Sequence, residues 1–366
     1  MSFGYYEIWL RDKTGNRLQL LDEKTLLSFQ YAHSVYGEGT LTLTTSNAYP
    51  FAYLQQDGQI EVWRTSPSGT TSLLGNSVFL IDKFMQQIQG SSLPFYSISA
   101  SPFVSILKRR IIAYAANTAY TNKTAAADDM MKAIIRENFG ASAVDTARDI
   151  STYLACAADA TAAPSISKAF SWTIIFNTLQ EIAQASATAG TRLYFDVTFD
   201  TTANLPTFRT YTGQLGADNS ATVIFSPDRF NLADPSLTYD YTGEQNYIYA
   251  LGQGTESDRL QVTETDATRT AKSNYNRREQ ALNATQYSTT TGLDAEANAA
   301  LYAGRPVVTV GGTLLNTEDT EYGTHWKEGD LVTAQFDTVS QTCIVESASI
   351  DIASGKESIR GVARAI

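Results

Sequence analysis

The sequence predicts an α+β fold that is mostly β, with two β-barrel-like domains flanking a helix-containing α+β domain. Three observations carry this expectation. Strands with turn residues between them fill residues 1 to 100, helical periods with defined ends occupy the centre, and strand texture returns from residue 237. At 366 residues the chain exceeds the size at which one hydrophobic core stops growing, so two or three domains are expected. The boundaries fall at 1–105, 106–236 and 237–366, the last with a helical insertion at about 272–303.

In the first region the strands read YYEIWLRD, RLQLLD, LLSFQYAHSV, GTLTLTTS, GQIEVWRT, SVFLIDKFMQQI and FYSISA. Several alternate, as where Gln59, Glu61 and Arg64 are set against Ile60, Val62 and Trp63. The separators KTGN, YGEG, QDG and SPSG are turn chemistry, and the whole reads as an antiparallel barrel or sandwich.

The texture changes at SPFVSILKRRIIAYAANTAY, where Val104, Leu107, Ile111 and Ile112 suit a helical period and Pro102 suits a helix start. KTAAADDMMKAIIRENFG predicts a helix capped by Thr124, with Asp128 and Asp129 early and Gly140 at its end. Its apolar face is Met130, Met131, Ile134, Ile135 and Phe139. SWTIIFNTLQEIAQASATAG predicts a second, capped by Ser171 and stopped at Gly190, with the strand RLYFDVTFD after it. Residues 141 to 169, rich in Ala, Ser, Thr and Asp, read as a surface excursion between the two helices. The domain closes at the turn-rich SPDRFNLADPS.

The third region opens with SLTYDYTGEQNYIYALGQG and DRLQVTETD as strands. KSNYNRREQALNATQ and GLDAEANAALYAGRP read as helical, and PVVTVGG, GDLVTAQFD, QTCIVESASIDI and ESIRGVARAI as closing strands. No fixed-period repeat is visible, which disfavours solenoids and propellers.

Hydrophobic residues make up 43% and charged ones 18%, enough for a packed core and far from a disordered composition. The start, MSFGYYEIWLRD, has neither the basic stretch nor the apolar run of a signal peptide, and no segment approaches the ~20 apolar residues of a membrane span. Cys156 and Cys343, in different regions, are expected as free thiols. The net charge of -11 divides as +1 over residues 1–120, -5 over 121–240 and -7 over 241–366, so the chain should repel nucleic acid.

Residue types that carry catalysis are sparse. The two histidines, His33 and His325, fall in opposite terminal domains and read as surface or interface residues rather than a proton-transfer pair. Neither His-rich nor Cys-rich spacing occurs, so no metal and no cofactor is expected. Gly252, Gln253 and Gly254 follow a strand without the third glycine of a dinucleotide fingerprint and read as a turn. Asp128 with Asp129, and Glu318 with Asp319 and Glu321, read as helix-start and loop solvation. Lys108, Arg109 and Arg110 read as a salt-bridged structural position or a subunit contact. The 20 tyrosines suit protein interfaces, with Tyr5, Tyr6, Tyr247 and Tyr249 as candidates. No catalytic set emerges, and the chain is expected not to be an enzyme.

Three stretches carry a family likeness: the proline-led SPFVSILKRRII after the β N-terminal domain, NYIYALGQGTESDRLQVTETD followed by NRREQAL, and YGTHWKEGDLVTAQFD before the terminal strands. In this order they resemble the hub proteins of long-tailed phages, the family related to the N-terminal hub region of tail-associated lysins and to the baseplate hub of contractile tails. The resemblance implies a structural virion protein of the tail tip, assembled in the host cytoplasm. It implies a homotrimer whose first and last β domains alternate as a ring of six, matching the sixfold end of the tail tube, with the middle domains projecting below. The partners implied are a distal tail or tail tube ring above, and tape measure and fibre or tip proteins below. DNA would pass through without specific binding. In tail-associated lysins the hub continues into a lytic domain or fibre, whereas this chain stops at Ile366, so cell-wall degradation is expected to reside in another protein.

Two expectations complete the reading. Residues 1–105 and the β parts of 237–366 should be superimposable, because a threefold protein must present six similar faces to a sixfold ring. Acidic side chains should line the passage, since lysine or arginine there would pair with phosphate and slow the genome. Candidates are Glu256, Asp258, Glu264 and Asp266, with Glu318, Asp319 and Glu321 as a second group. The competing function is a carbohydrate-binding or carbohydrate-active β protein in host-surface recognition.

Overall fold

The computed structural model describes residues 4–21, 26–46, 53–88, 95–114, 121–170, 172–315, 317–353 and 356–365. The first region holds β1 (Tyr5–Arg11), β2 (Arg17–Leu21), β3 (Leu26–Ser34), β4 (Gly39–Thr45), β5 (Gln59–Thr65), β6 (Thr71–Leu73), β7 (Phe79–Gln87) and β8 (Phe95–Pro102). All seven strands read from the sequence are present, joined by the short β6. The alternation in β5 does not mark a solvent face, however: Gln59, Glu61 and Arg64 are 6%, 1% and 2% exposed. Strand β5 lies inside the sheet between β1 and β7; the face with Glu61 and Trp63 turns to the core of the central region, while Arg64 on the opposite face meets Tyr322 and Glu357. Glu61 is satisfied there by Arg11 Nη1 at 2.6 Å, Trp63 Nε1 at 2.5 Å and the Arg17 guanidinium.

The central region runs β9 (Thr121–Ala126), α1 (Ala127–Phe139), β10 (Ala155–Cys156), β11 (Ser165–Phe170), α2 (Ile175–Thr188), β12 (Leu193–Asp200) and β13 (Leu205–Thr212). Before it, Phe103–Lys108 forms one short 3-10 turn rather than a longer helix, and Ile111 then bridges Ile174. Thr124 is not the cap of α1, because it lies in β9 opposite Ser167. The cap position is Ala126, and Gly140 ends the helix as expected. Ser171 lies outside the described residues, and α2 begins after Ile174. The expected excursion is tied down at both ends of its second half. β11 pairs with β9, and Ala160 and Thr161 donate backbone N–H to Asp129 while Ala162 and Ala163 donate to Asp128. Asp128 is therefore not a solvated helix-start residue: it is 1% exposed and pairs with buried Lys132 at 3.2 Å. One apolar core unites both helices, β12 and β13 with Leu73, Val78, Leu80 and Phe103 of the first region.

The last strands are β14 (Ile224–Phe225), β15 (Leu232–Asp240), β16 (Tyr247–Leu251), β17 (Gln261–Thr265), β18 (Glu279–Asn283), β19 (Val307–Leu314), β20 (Leu331–Phe336), β21 (Val339–Ala353) and β22 (Lys356–Ala365). Two helices intervene, α3 (Ala267–Thr270) and α4 (Thr290–Ala303). Residues 272–286, read as helical, contain strand β18 instead. Its Glu279, Ala281 and Asn283 face outward and Gln280 and Leu282 inward, a period of two that the charged run NRREQ masks. β18 pairs parallel to β16, with β17 antiparallel on the other side, and α4 packs Leu293 and Ala297 against Ile248 and Ala250 of this small sheet. Residues 216–223 lie along the loop before β20, with Gly216 N donating to Gly329 O and Asn219 N to Leu331 O.

The β regions at the two ends share one 14-stranded sheet, ordered β2-β1-β5-β7-β8-β4-β3-β21-β22-β19-β15 with β6, β14 and β20 as branches. The join is β3 against β21, antiparallel from Ser28↔Ala353 to Ser34↔Ser347. A single core follows, running from Ile8, Leu10, Phe29 and Leu41 through Ala348 and Ile350 to Phe225, Trp326 and Val332.

Candidate assembly surfaces and the buried polar junction

Where the end regions meet, β5 and β22 place Arg64 and Glu357 side by side, 2% and 4% exposed. Arg64 Nε reaches Glu357 Oε1 at 2.9 Å, Nη2 reaches Oε2 at 3.1 Å, and Nη1 donates to Tyr322 O at 2.8 Å. The Tyr6 hydroxyl also donates to Glu357. Tyr6 is thus buried at 3%, not a surface tyrosine, whereas Tyr5 is 51% exposed. Arg64 also donates through Nε to Tyr6 Oη at 3.1 Å, closing a network of four residues, two from each end region.

Beside this pair, β3, β12 and the loop before β20 line a cavity of about 220 Å3. His33, expected on the surface, is 7% exposed, and burial pushes its imidazole down to about 4. Neither ring nitrogen has a hydrogen-bond partner among the described residues, and Nδ1 lies 3.8 Å from Glu328 Oε1. Glu328 accepts from the Tyr322 hydroxyl at 2.9 and 3.1 Å, and burial pushes its carboxyl up to about 7. Asp196 accepts from Val197 N at 2.6 Å, and burial pushes it too up to about 7. It packs on Gly37, in the turn between β3 and β4, where an added Cβ would come within 2.0 Å of Oδ1. With φ at +69°, that position favours glycine on conformation as well. His325 is half-buried away from this cavity, its Nδ1 accepting from Glu321 N at 3.1 Å.

The basic run is spent within the fold: Lys108 pairs with Glu38, Arg109 with Asp57 at 2.6 Å, and Arg110 stacks 4.5 Å from the Phe139 ring centre. Gly252 and Gly254 form the turn into β17, Gly254 with φ at +105°. Cys156 and Cys343 are free thiols.

The acidic candidates divide between two places. Glu256 and Asp258 are exposed on the turn between β16 and β17, Glu264 is half-buried on β17, and Asp266 caps α3 and pairs with Arg269 at 2.8 Å. Glu318 and Asp319 are exposed on the loop after β19, while Glu321 is 7% exposed and accepts from Ser68 N. Asp266 and Glu321 are therefore engaged in holding local structure.

Exposed apolar side chains mark surfaces suited to other proteins. The outer strands of the long sheet carry Leu18 and Leu20 on β2 and Tyr239 on β15. In the central region Trp172, 52% exposed with φ at 50°, packs with its ring tilted against Tyr114 at 4.5 Å, beside exposed Ile111 and Ile174. Aromatic residues so placed are typical anchors of protein interfaces. Sequence reasoning missed the roles of Arg64, Asp196, Glu328 and Trp172; a signal was available for Asp196, a charged residue inside the otherwise apolar LYFDV.

The Siphovirus ReqiPepy6 Gp37-like protein family matches residues 6–360. The chain belongs to this family. No curated protein matches the sequence. Among solved structures, the tail protein from Neisseria meningitidis MC58 is similar at 12% identity and a TM-score of 0.59, over 98% of this chain and 96% of that one. The 43 kDa tail protein of prophage MuSo2 from Shewanella oneidensis is similar at 10% identity and 0.59, over 98% of each. A chain of the Francisella PdpA-VgrG complex is similar at 9% identity and 0.57, over all of this chain and 53% of that one. The fold of this siphovirus family is thus the fold of phage tail proteins, and the hub resemblance read from the sequence holds at that level.

Proposed function

We propose that the chain is a structural tail-tip protein of the phage virion, the homotrimeric hub joining a sixfold tail tube or distal tail ring to a threefold tip. The observation that carries this reading is the β3–β21 pairing, which sets the two end regions side by side in one sheet. A subunit built so offers two β units in fixed relation, one third of a six-unit ring, and leaves β2 and β15 as open edges for its neighbours. Family membership and the tail-protein fold support the same reading. The central region, with its Trp172 surface, is the part suited to a fibre or tip protein, and the ring to a tape measure segment inside it. Light scattering on the purified chain should give three times the 39.9 kDa subunit mass. A stable monomer at micromolar concentration would remove the hub reading.

The passage is proposed to be lined by carboxylates, chiefly exposed Glu256, Asp258, Glu318 and Asp319, with half-buried Glu264 contributing less, and Asp266 and Glu321 less because the fold already engages them. In a narrow channel their repulsion of phosphate is screened only over ~8 Å at physiological salt. A structure of the assembled ring with as many lysines and arginines as carboxylates on its inner wall would refute this lining.

A further inference from the structure

We propose that the cavity between β3, β12 and the loop before β20 is a proton-operated latch: protonated, it locks the central region onto the β frame, and ionised, it releases it. Its geometry is that of a junction. His33 comes from the first region, Asp196 from the central one and Glu328 from the last, and all three line one cavity.

The groups facing them offer little compensation. From β3 come Tyr31 and the neutral His33, and from β13 Tyr211. The loop adds Tyr322, exposed Lys327 and buried Asp330, the last a further carboxyl. Arg64, whose field reaches Tyr322, is already committed to Glu357. Each carboxylate ionised here would be desolvated, Glu328 would also face the Asp330 carboxylate, and Lys327 is the cation among the lining residues.

The sign of the pH effect follows. Asp196 and Glu328 hold protons in the folded state that the unfolded chain has released, so their contribution is full below about 4 and is lost as pH rises through about 7. His33 acts oppositely, but only between about 4 and its unfolded value near 6.5. Above that, only the carboxyls act, and the junction weakens.

Hydrogen exchange on the full chain at pH 6 and pH 8, normalised for intrinsic rates, tests the latch. Residues 193–212 and 322–331 should exchange about tenfold faster at pH 8, with β1 and β5 unchanged. The thermal midpoint should fall by roughly 3–5 °C over the same interval. Asp196→Asn with Glu328→Gln should abolish both changes. Equal exchange at the two pH values, a uniform rise that includes β1 and β5, or a double variant that still responds would overturn the proposal. If that variant does not fold, the wild-type exchange pattern alone decides.

Discussion

Arg64→Ala is expected to destabilise the protein by about 3–5 kcal/mol, because it leaves the Glu357 carboxylate buried without its cation. The loss exceeds that of a surface ion pair, whose contribution is at most about 1 kcal/mol. Both side chains are almost fully buried, and the bidentate bond makes Arg64 the cation that neutralises Glu357. Tyr322 O loses its donor at the same time. Urea denaturation followed by circular dichroism measures the effect. The variant Arg64→Met with Glu357→Leu should lose much less than the sum of the single changes, because an apolar pair removes both charges together. A loss below about 1 kcal/mol for Arg64→Ala would show that the join between the end regions does not depend on this pair.

Trp326→Ala is expected to cost about 3–5 kcal/mol through the cavity it opens. The indole is 1% exposed, packs edge-on to Phe225 at 5.4 Å and Tyr322 at 5.0 Å, and donates Nε1–H to Thr320 O at 3.1 Å. Its ring also lies over Gly361, where an added Cβ would sit 3.7 Å away. Trp326→Phe should recover most of the packing but not the bond to Thr320, leaving a deficit of about 1–2 kcal/mol. Thermal unfolding of the two variants separates cavity from hydrogen bond, and equal losses would show that packing is not the main contribution.

The strands of the first region were legible because each is short, alternating and bounded by turn residues such as KTGN and SPSG. Both long helices were legible from their apolar faces, although their starts were not. Thr124 is drawn into a strand by its partner Ser167, a choice that no local propensity encodes. Strand β18 was hidden because Arg277, Arg278 and Glu279 suggest a helix start, while its pairing with Tyr247–Leu251 decides otherwise. The polar junction was illegible for a related reason. Arg64 pairs with Glu357, and His33 approaches Glu328, across most of the sequence, so each reads as solvated until the fold brings them together. The acidic candidates could be found from charge alone, but which of them are engaged depended on contacts such as Ser68 with Glu321.

The pairing of β3 with β21 fixes the order in which a growing chain can mature. Ser34 lies opposite Ser347, so strand β3 has no second neighbour until more than three hundred further residues have left the ribosome. Contacts this distant in sequence form late and slowly, after the closure entropy of a very long loop has been overcome. Until then Ala348 and Ile350 are missing from the shared core, and the flank of β3 is an open edge. A nascent or truncated subunit therefore lacks the rigid two-part frame on which ring closure is proposed to depend, and incomplete chains are screened out of assembly by topology, without a dedicated checkpoint.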